Sequence, residues 1–277
     1  MGDRPKVGLA LGAGAARGLA HIGVLEVLEE RGVPIDIVTG TSMGSVVGCL
    51  YANGASGKMI RGLAQQICSM EYRKLFDITL PRLGLIRGQR VDMIIRTLTG
   101  DRLIEQMKLP YAAVSACLED GTAMVFKSGK AAEAVRASIS IPGVFEPVML
   151  AGKTYVDGGV LDRVPVGVAR EMGADFVIAV DVGYRGGPRM TPKNIIDVMI
   201  SSFELQEWEA TRGRVSTADV TIVPDTQNVN PANFNQVEDC ALKGRAAAEL
   251  VMEELLEKLG NAGITVGEKG QSVISSQ

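Results

Sequence analysis

The sequence predicts a three-layer α/β/α domain built on a mainly parallel central sheet. Short β-rich apolar runs alternate with segments of helical periodicity, the order that parallel strands joined by crossover helices require. Two of those runs, KVGLAL at Lys6–Leu11 and FVIAVDV at Phe176–Val182, are apolar almost without interruption, as strands covered on both faces must be. No repeat or linker divides the 277 residues, and a hydrophobic content of 46% suffices for one large core. Residues 1–260 are therefore expected to form a single domain, with the Gly/Ser-rich, aperiodic stretch 261–277 as a flexible tail.

In chain order, Lys6–Leu11 reads as a buried strand that ends in a glycine-rich loop. Gly18–Arg31 reads as a helix, because Leu19, Ile22, Leu25 and Leu28 recur every three residues and Gly32 stops it. Asp36–Thr39 is a second strand, and Met43–Ala52 a tightly packed helix of small and apolar residues. Tyr111–Leu118 and Thr122–Lys127 are strands around the turn Glu119-Asp120-Gly121, followed by a helix at Lys130–Ser138 and a strand-like Lys153–Val156. A further strand is expected at Val220–Val223, and long helices at Lys193–Arg214 and Val237–Leu259. The first of these helices carries Phe203, Leu205 and the only tryptophan, Trp208, and serves either as core or as an interface.

Net charge is -3 and the pI about 5.4, with no basic block, which argues against a nucleic-acid partner. Cys49, Cys68, Cys117 and Cys240 are scattered and match no metal spacing, and the single histidine, His21, cannot complete a zinc site with them. Free thiols in a reducing compartment are expected, with no metal. No apolar stretch reaches the ~20 residues of a membrane-spanning helix. The opening MGDRPKVGLALGAGAARG runs into a strand without a secretory apolar region. The expectation is a soluble cytoplasmic protein that could still touch the surface of the inner membrane.

Three motifs carry chemistry. Gly12-Ala13-Gly14-Ala15-Ala16-Arg17-Gly18 follows a strand and opens a helix. Its small residues let backbone N–H groups turn inward, and the helix N-terminus adds positive potential, so the loop can hold a phosphate or the oxyanion of a tetrahedral intermediate. A dinucleotide fits poorly: counted from Gly12, the third glycine of G-x-G-x-x-G falls on Arg17, and the next strand ends in Thr39-Gly40 rather than an acid. No Gly-Lys-Ser/Thr follows, which removes a Walker loop. Gly40-Thr41-Ser42-Met43-Gly44 stands between a strand and a helix, the context of a nucleophile elbow, with Gly40 and Gly44 leaving room for close backbone approach. Alternatively, Thr41 or Ser42 simply caps the helix. Asp157-Gly158-Gly159 leaves a strand into two glycines, which either frees the carboxylate to point into a cleft or makes an ordinary Asx-turn.

In this order the three motifs resemble the patatin-like phospholipase family. The resemblance extends to Arg136–Phe145 (RASISIPGVF) before the aspartate and to Val164-Pro165 after it, and spans about Val7 to Asp181. The chain is most similar to small single-domain bacterial members related to the esterase domain of neuropathy target esterase. The resemblance implies a patatin-like domain with a serine–aspartate dyad that needs no histidine: Ser42 as nucleophile, Asp157 as base. It places the oxyanion hole in the loop of Gly12, Ala13, Gly14, Ala15, Arg17 and Gly18, chiefly around Gly14 and Ala15. Ala13 and Ala15 stand where the family often has glycine, which the hole tolerates provided neither residue needs positive φ. Arg17 either steadies the loop or its anion, or makes a surface salt bridge. His21, left without a task, is expected to pack near the loop as a helix residue. Asp162, at a turn or helix cap, and Asp181, in an Asx-turn, rank below Asp157 as bases.

The activity implied is hydrolysis of lipid acyl esters, phospholipids or lysophospholipids among them, without a cofactor or metal. Two rivals stay open: a patatin-like regulator or adaptor with little or no turnover, and a nucleotide binder using the Gly12–Gly18 loop. Met70–Gly88 mixes Met70, Tyr72, Leu75, Phe76 and Leu80 with basic residues, and reads either as a lid or membrane-contacting interface or as a loop covering the core.

Overall fold

A computed structural model describes residues 4–69, 84–186, 191–211 and 217–267. β1 (Val7–Leu11) is buried at every position, and a 3-10 turn over Ala15–Leu19 leads from it into α1 (Ala20–Glu30). β2 (Ile37–Thr41) and α2 (Met43–Ala52) follow, separated by Ser42 alone. Next come α3 (Gly57–Ser69), β3 (Gly84–Ile86) and α4 (Gln89–Thr99). β4 (Tyr111–Cys117) and β5 (Thr122–Phe126) form a hairpin whose turn uses Gly121 at φ 64. α5 (Ala131–Ser138) precedes the short strands β6 (Gly143–Phe145), β7 (Val148–Leu150) and β8 (Lys153–Asp157). α6 (Val166–Glu171), β9 (Phe176–Val180), α7 (Ile195–Thr211), β10 (Val220–Ile222), α8 (Val237–Leu250) and α9 (Met252–Asn261) complete the order.

The sheet runs β10-β9-β1-β2-β4-β8-β7, with β5 paired to β4. Its first five strands are parallel, while β5, β7 and β8 join antiparallel. The expected mainly parallel sheet with helices on both faces is what forms. Alternation along β1 shows why its sequence is apolar throughout: Val7, Leu9 and Leu11 join the large core with α1, α2 and α8, whereas Ala10 packs with Val166 and Ala169 of α6. Each fully buried leucine or valine contributes about 2 kcal/mol. α1 and α8 approach until backbones touch, and a Cβ on Gly23 would stand 1.8 Å from the Ala241 carbonyl oxygen.

Three expectations need correction or completion. The helix foreseen over Val237–Leu259 breaks at Val251 (φ -101, ψ 4), and the break turns Met252, Leu255 and Leu259 into the core. Beyond α9 the chain stays attached through Gly267: Ile264 is buried, and the Gly267 N–H donates to the Gly32 carbonyl at 3.0 Å. Of the stretch Met70–Gly88, residues 70–83 lie outside the described residues, as do 268–277 of the foreseen tail. Gly84–Ile86 pairs in parallel with Gly143–Phe145 as a separate two-stranded sheet.

Candidate active site

β4 brings the two halves of the site together. Thr41, the last residue of β2, pairs with Val114, and Asp157, the last residue of β8, pairs with Ser115. The opposite edge of β4 is taken by β5 over Ala113–Cys117, so β2 and β8 share one edge and meet there end to end. Residues distant in sequence, Ser42 and Asp157, thus emerge beside each other.

Ser42 stands at φ 55, ψ -126, a conformation that costs a non-glycine residue about 1–3 kcal/mol. Its surroundings hold it there. Its N–H donates to Ser138 Oγ at 2.9 Å, and that hydroxyl donates in turn to the Val114 carbonyl at 2.6 Å. Its carbonyl accepts from Ser45 N at 2.9 Å and from Ser45 Oγ at 2.6 Å. Gly40 and Gly44 serve close approach rather than unusual φ: a Cβ would lie 2.4 Å from the Gly44 carbonyl oxygen or 2.1 Å from that of Leu11, respectively. Capping does not explain the motif, since the Ser42 side chain makes no cap bond and Thr41 Oγ1 donates to the Asp162 carbonyl.

Asp157 is wholly buried. Its N–H donates to the Ser140 carbonyl at 2.9 Å, and its Oδ1 accepts from the Gly159 N–H at 2.9 Å, while Oδ2 takes no bond from the described residues. Burial raises the carboxyl from 3.8 to about 7, against the opposing pull of the Ser42 hydroxyl and the Gly159 N–H. An Asx-turn is therefore present, and it engages only one of the two carboxyl oxygens. Arg136–Phe145 supplies the framework of both residues: Ser138 holds Ser42, Ser140 holds Asp157, and the buried Arg136 clamps Ser140 Oγ at 2.7 Å and the Arg87 and Glu146 carbonyls.

In the glycine-rich loop the fold divides the backbone donors. The Gly12 N–H donates to Val180 O (3.0 Å), Ala13 to Arg163 O (2.9 Å), Ala16 to Pro231 O (3.0 Å) and Arg17 to Gly14 O (2.9 Å). Among the described residues, the N–H groups of Gly14 and Ala15 take no acceptor. The condition set for the two alanines therefore fails at Ala15, which adopts positive φ, at 48, a conformation that costs an alanine about 1–3 kcal/mol and that the fold must hold in place. Ala15 also lines a cavity together with Ser42. A Cβ on Gly18 would stand 2.4 Å from Met43 Cγ, so this glycine seats the loop on α2. Arg17 is buried rather than at the surface, pairing with Glu204 at 2.6 Å. His21 Nε2 donates to the Gly12 carbonyl at 2.8 Å, and burial lowers its pKa to about 4, so it is neutral and braces the loop. Asp181 pairs with Arg163 at 2.7 Å and accepts from the Gly183 N–H, the Asx-turn expected of it.

Ser42 opens into an almost wholly apolar cavity of about 180 Å³, walled by Val46, Ile60, Leu63, Ile94, Leu98 and Phe145 among others. α3 and α4 supply much of this wall, and neither was foreseen from the sequence. Among the described residues no three His, Cys, Asp or Glu side chains cluster as a metal site, and no helix is long and apolar enough to cross a membrane. Sequence reasoning also passed over Glu204 and Glu207, both buried on α7, where only the apolar residues had drawn notice.

A family model for patatin-like phospholipase matches residues 9–170. An NTE family protein of Mycobacterium bovis is 39% identical over 185 residues, covering 66% of this chain and 51% of its own. The lysophospholipase NTE1 of Candida albicans is 38% identical over 180 residues, covering 64% of this chain and 13% of its own. This chain thus spans about half the length of the mycobacterial relative and a small part of the yeast one. VipD from Legionella pneumophila superposes with a TM-score of 0.61 at 14% identity, over 91% of this chain and 67% of its own, a likeness of fold.

Proposed function

The chain belongs to the patatin-like phospholipase family, and on that premise we propose that it is a serine esterase that hydrolyses lipid acyl esters, lysophospholipids and phospholipids among them, through Ser42 and Asp157. The observation that carries the reading is a strained, apolar-facing Ser42 at the end of β2 beside a buried Asp157 at the end of β8, whose Oδ2 takes no bond from the described residues. An aspartate with an ordinary pKa of about 3.9 is a weak base for a hydroxyl. Held near 7 by burial, Asp157 is far better matched to the task at neutral pH.

In the first half-reaction Ser42 Oγ bonds to the ester carbonyl carbon as its proton passes to Asp157 Oδ2. The carbonyl oxygen becomes the oxyanion, received by the Gly14 and Ala15 N–H groups and the positive end of the following turn. Collapse breaks the bond to the alcohol, which leaves with the proton from Asp157. In the second half-reaction water gives its proton to Asp157 and its oxygen to the acyl carbon, and Ser42 departs with that proton, releasing the fatty acid. Loss of one oxyanion donor costs about 3 kcal/mol, so two N–H groups carry a large part of the acceleration. The apolar cavity receives the acyl chain, and the neighbouring helix α2 begins at the nucleophile itself.

Residues 1–260 as one catalytic domain, action from the cytoplasm and peripheral contact with the inner membrane are parts of the same proposal, since such esters reside in or leave from bilayers. The test is hydrolysis of p-nitrophenyl esters of increasing chain length by wild type, Ser42→Ala and Asp157→Asn. Loss of turnover in both variants, with a chain-length optimum that shortens in Ile94→Trp, is the expected outcome. Turnover surviving Ser42→Ala would sink the mechanism.

A further inference from the structure

α7 reaches the site from beyond the residues that carry the three motifs. Glu204 and Glu207, three residues apart, are each 2% exposed, and Trp208 beside them lies under the Arg163 guanidinium at 5.4 Å. Glu204 pairs with Arg17 and so braces the glycine-rich loop. Glu207 meets the aspartate turn instead. A Cβ on Gly159 would stand 1.6 Å from Glu207 Oε1 and 3.2 Å from Asp157 Oδ1, so the two carboxyl oxygens are no farther apart than those distances together. Gly159 does not have positive φ. It is glycine because a carboxyl occupies the place of its side chain.

Two buried carboxyls at this range do not ionise together. Asp157 has the better-supported anion, through the Gly159 N–H and the Ser42 hydroxyl. Burial, reinforced by Asp157, Glu204 and Asp181 as like charges and opposed by the Arg163 cation, holds Glu207 well above the usual carboxylate range.

We propose that Glu207 is a positioning residue for acyl transfer: it stays protonated through turnover, leaves Asp157 as the one carboxylate of the pair, and by its own ionisation sets the alkaline limit of activity. The inference rests on the Ser42–Asp157 chemistry above. Once Glu207 also ionises, two negative charges share one dry site, and repulsion turns Asp157 from its place beside Ser42.

The experiment is the pH profile of kcat/KM for p-nitrophenyl butyrate, from mildly acidic to strongly alkaline, with buffer hydrolysis subtracted and the full chain used throughout. Wild type is expected to show a bell whose acid limb, near 7, belongs to Asp157 and whose alkaline limb belongs to Glu207. Glu207→Gln, close in shape and always neutral, should keep the acid limb and lose the alkaline one. Glu207→Met, neutral without a hydrogen-bonding head, should lose the same limb with its maximum lowered about tenfold. An alkaline limb unmoved in Glu207→Gln or Glu207→Met overturns the inference. So does a lowered acid limb in Glu207→Gln, which would mean that Glu207 is an anion in the wild type. A wild type without an alkaline limb overturns it too, whether or not the variants fold. Activity that persists in Ser42→Ala defeats the dyad itself, whereas dyad-dependent activity with an unmoved limb defeats only the role of Glu207.

Discussion

Replacing Asp157 with asparagine should stabilise the protein, and more so as the pH rises. In the folded chain the carboxyl is moved from 3.8 to about 7 by burial, so folding favours its protonated form. Below the unfolded value both states are neutral and nothing is lost. As pH rises from there, the unfolded chain releases the proton first, and stability falls until the folded carboxyl ionises too. The full loss is about 4 kcal/mol above neutrality. Between about pH 5 and about pH 8 it grows by about 3 kcal/mol. The substituted asparagine cannot ionise and escapes this loss, while its amide oxygen can still accept from the Gly159 N–H. Any constant effect of the amide cancels when the two pH values are compared. For a chain of this length the difference in Tm between variant and wild type should widen by on the order of 6 °C from the lower to the higher pH. Differential scanning calorimetry at both pH values measures it, and activity of the same samples should be lost. A Tm difference that does not change with pH would refute the raised carboxyl, and with it the reason Asp157 can act as a base.

Two further outcomes follow from the supports of the site. Ser138→Ala removes the acceptor of the Ser42 N–H and should cost about 1–3 kcal/mol of stability while lowering kcat more than it changes KM, because the cavity is untouched; thermal melts and steady-state kinetics check both. Arg17→Met leaves Glu204 with its buried charge deprived of Arg17 and should destabilise by about 3–5 kcal/mol, much of which the double variant with Glu204→Gln should restore in chemical denaturation.

The strands at Lys6–Leu11 and Phe176–Val182 and the helix Met43–Ala52 were legible because strand burial and tight helix packing leave local signatures in residue type. The glycines flanking Ser42 were legible for a similar reason: Gly40 and Gly44 are demanded by contacts within a few residues or with the adjoining strand. α3 and α4 went unread, although each has an apolar stripe that both joins the large core, through Ile60 and Ile95, and lines the cavity. Their outer faces are polar, and among the described residues no strand of the central sheet separates them to mark an α/β unit. The break at Val251 was equally hidden, as a single helix satisfies the same local pattern.

By itself, then, the sequence determined the alternating architecture, a consequence of local patterning. It marked the turn around Ser42 and the glycine-rich loop without settling their roles, since the loop glycines answer to Val164, Val180, Val182 and Met43, far along the chain. Only the tertiary structure decided that Asp157 stands beside Ser42, because that proximity comes from β2 and β8 sharing one edge of β4. Only it decided which loop donors are open, since distant carbonyls of Val180, Arg163 and Pro231 claim those of Gly12, Ala13 and Ala16. And only it placed Glu207 against Gly159, because the ionisation of a carboxyl is set by what packs around it, and here that is α7 arriving from far along the chain.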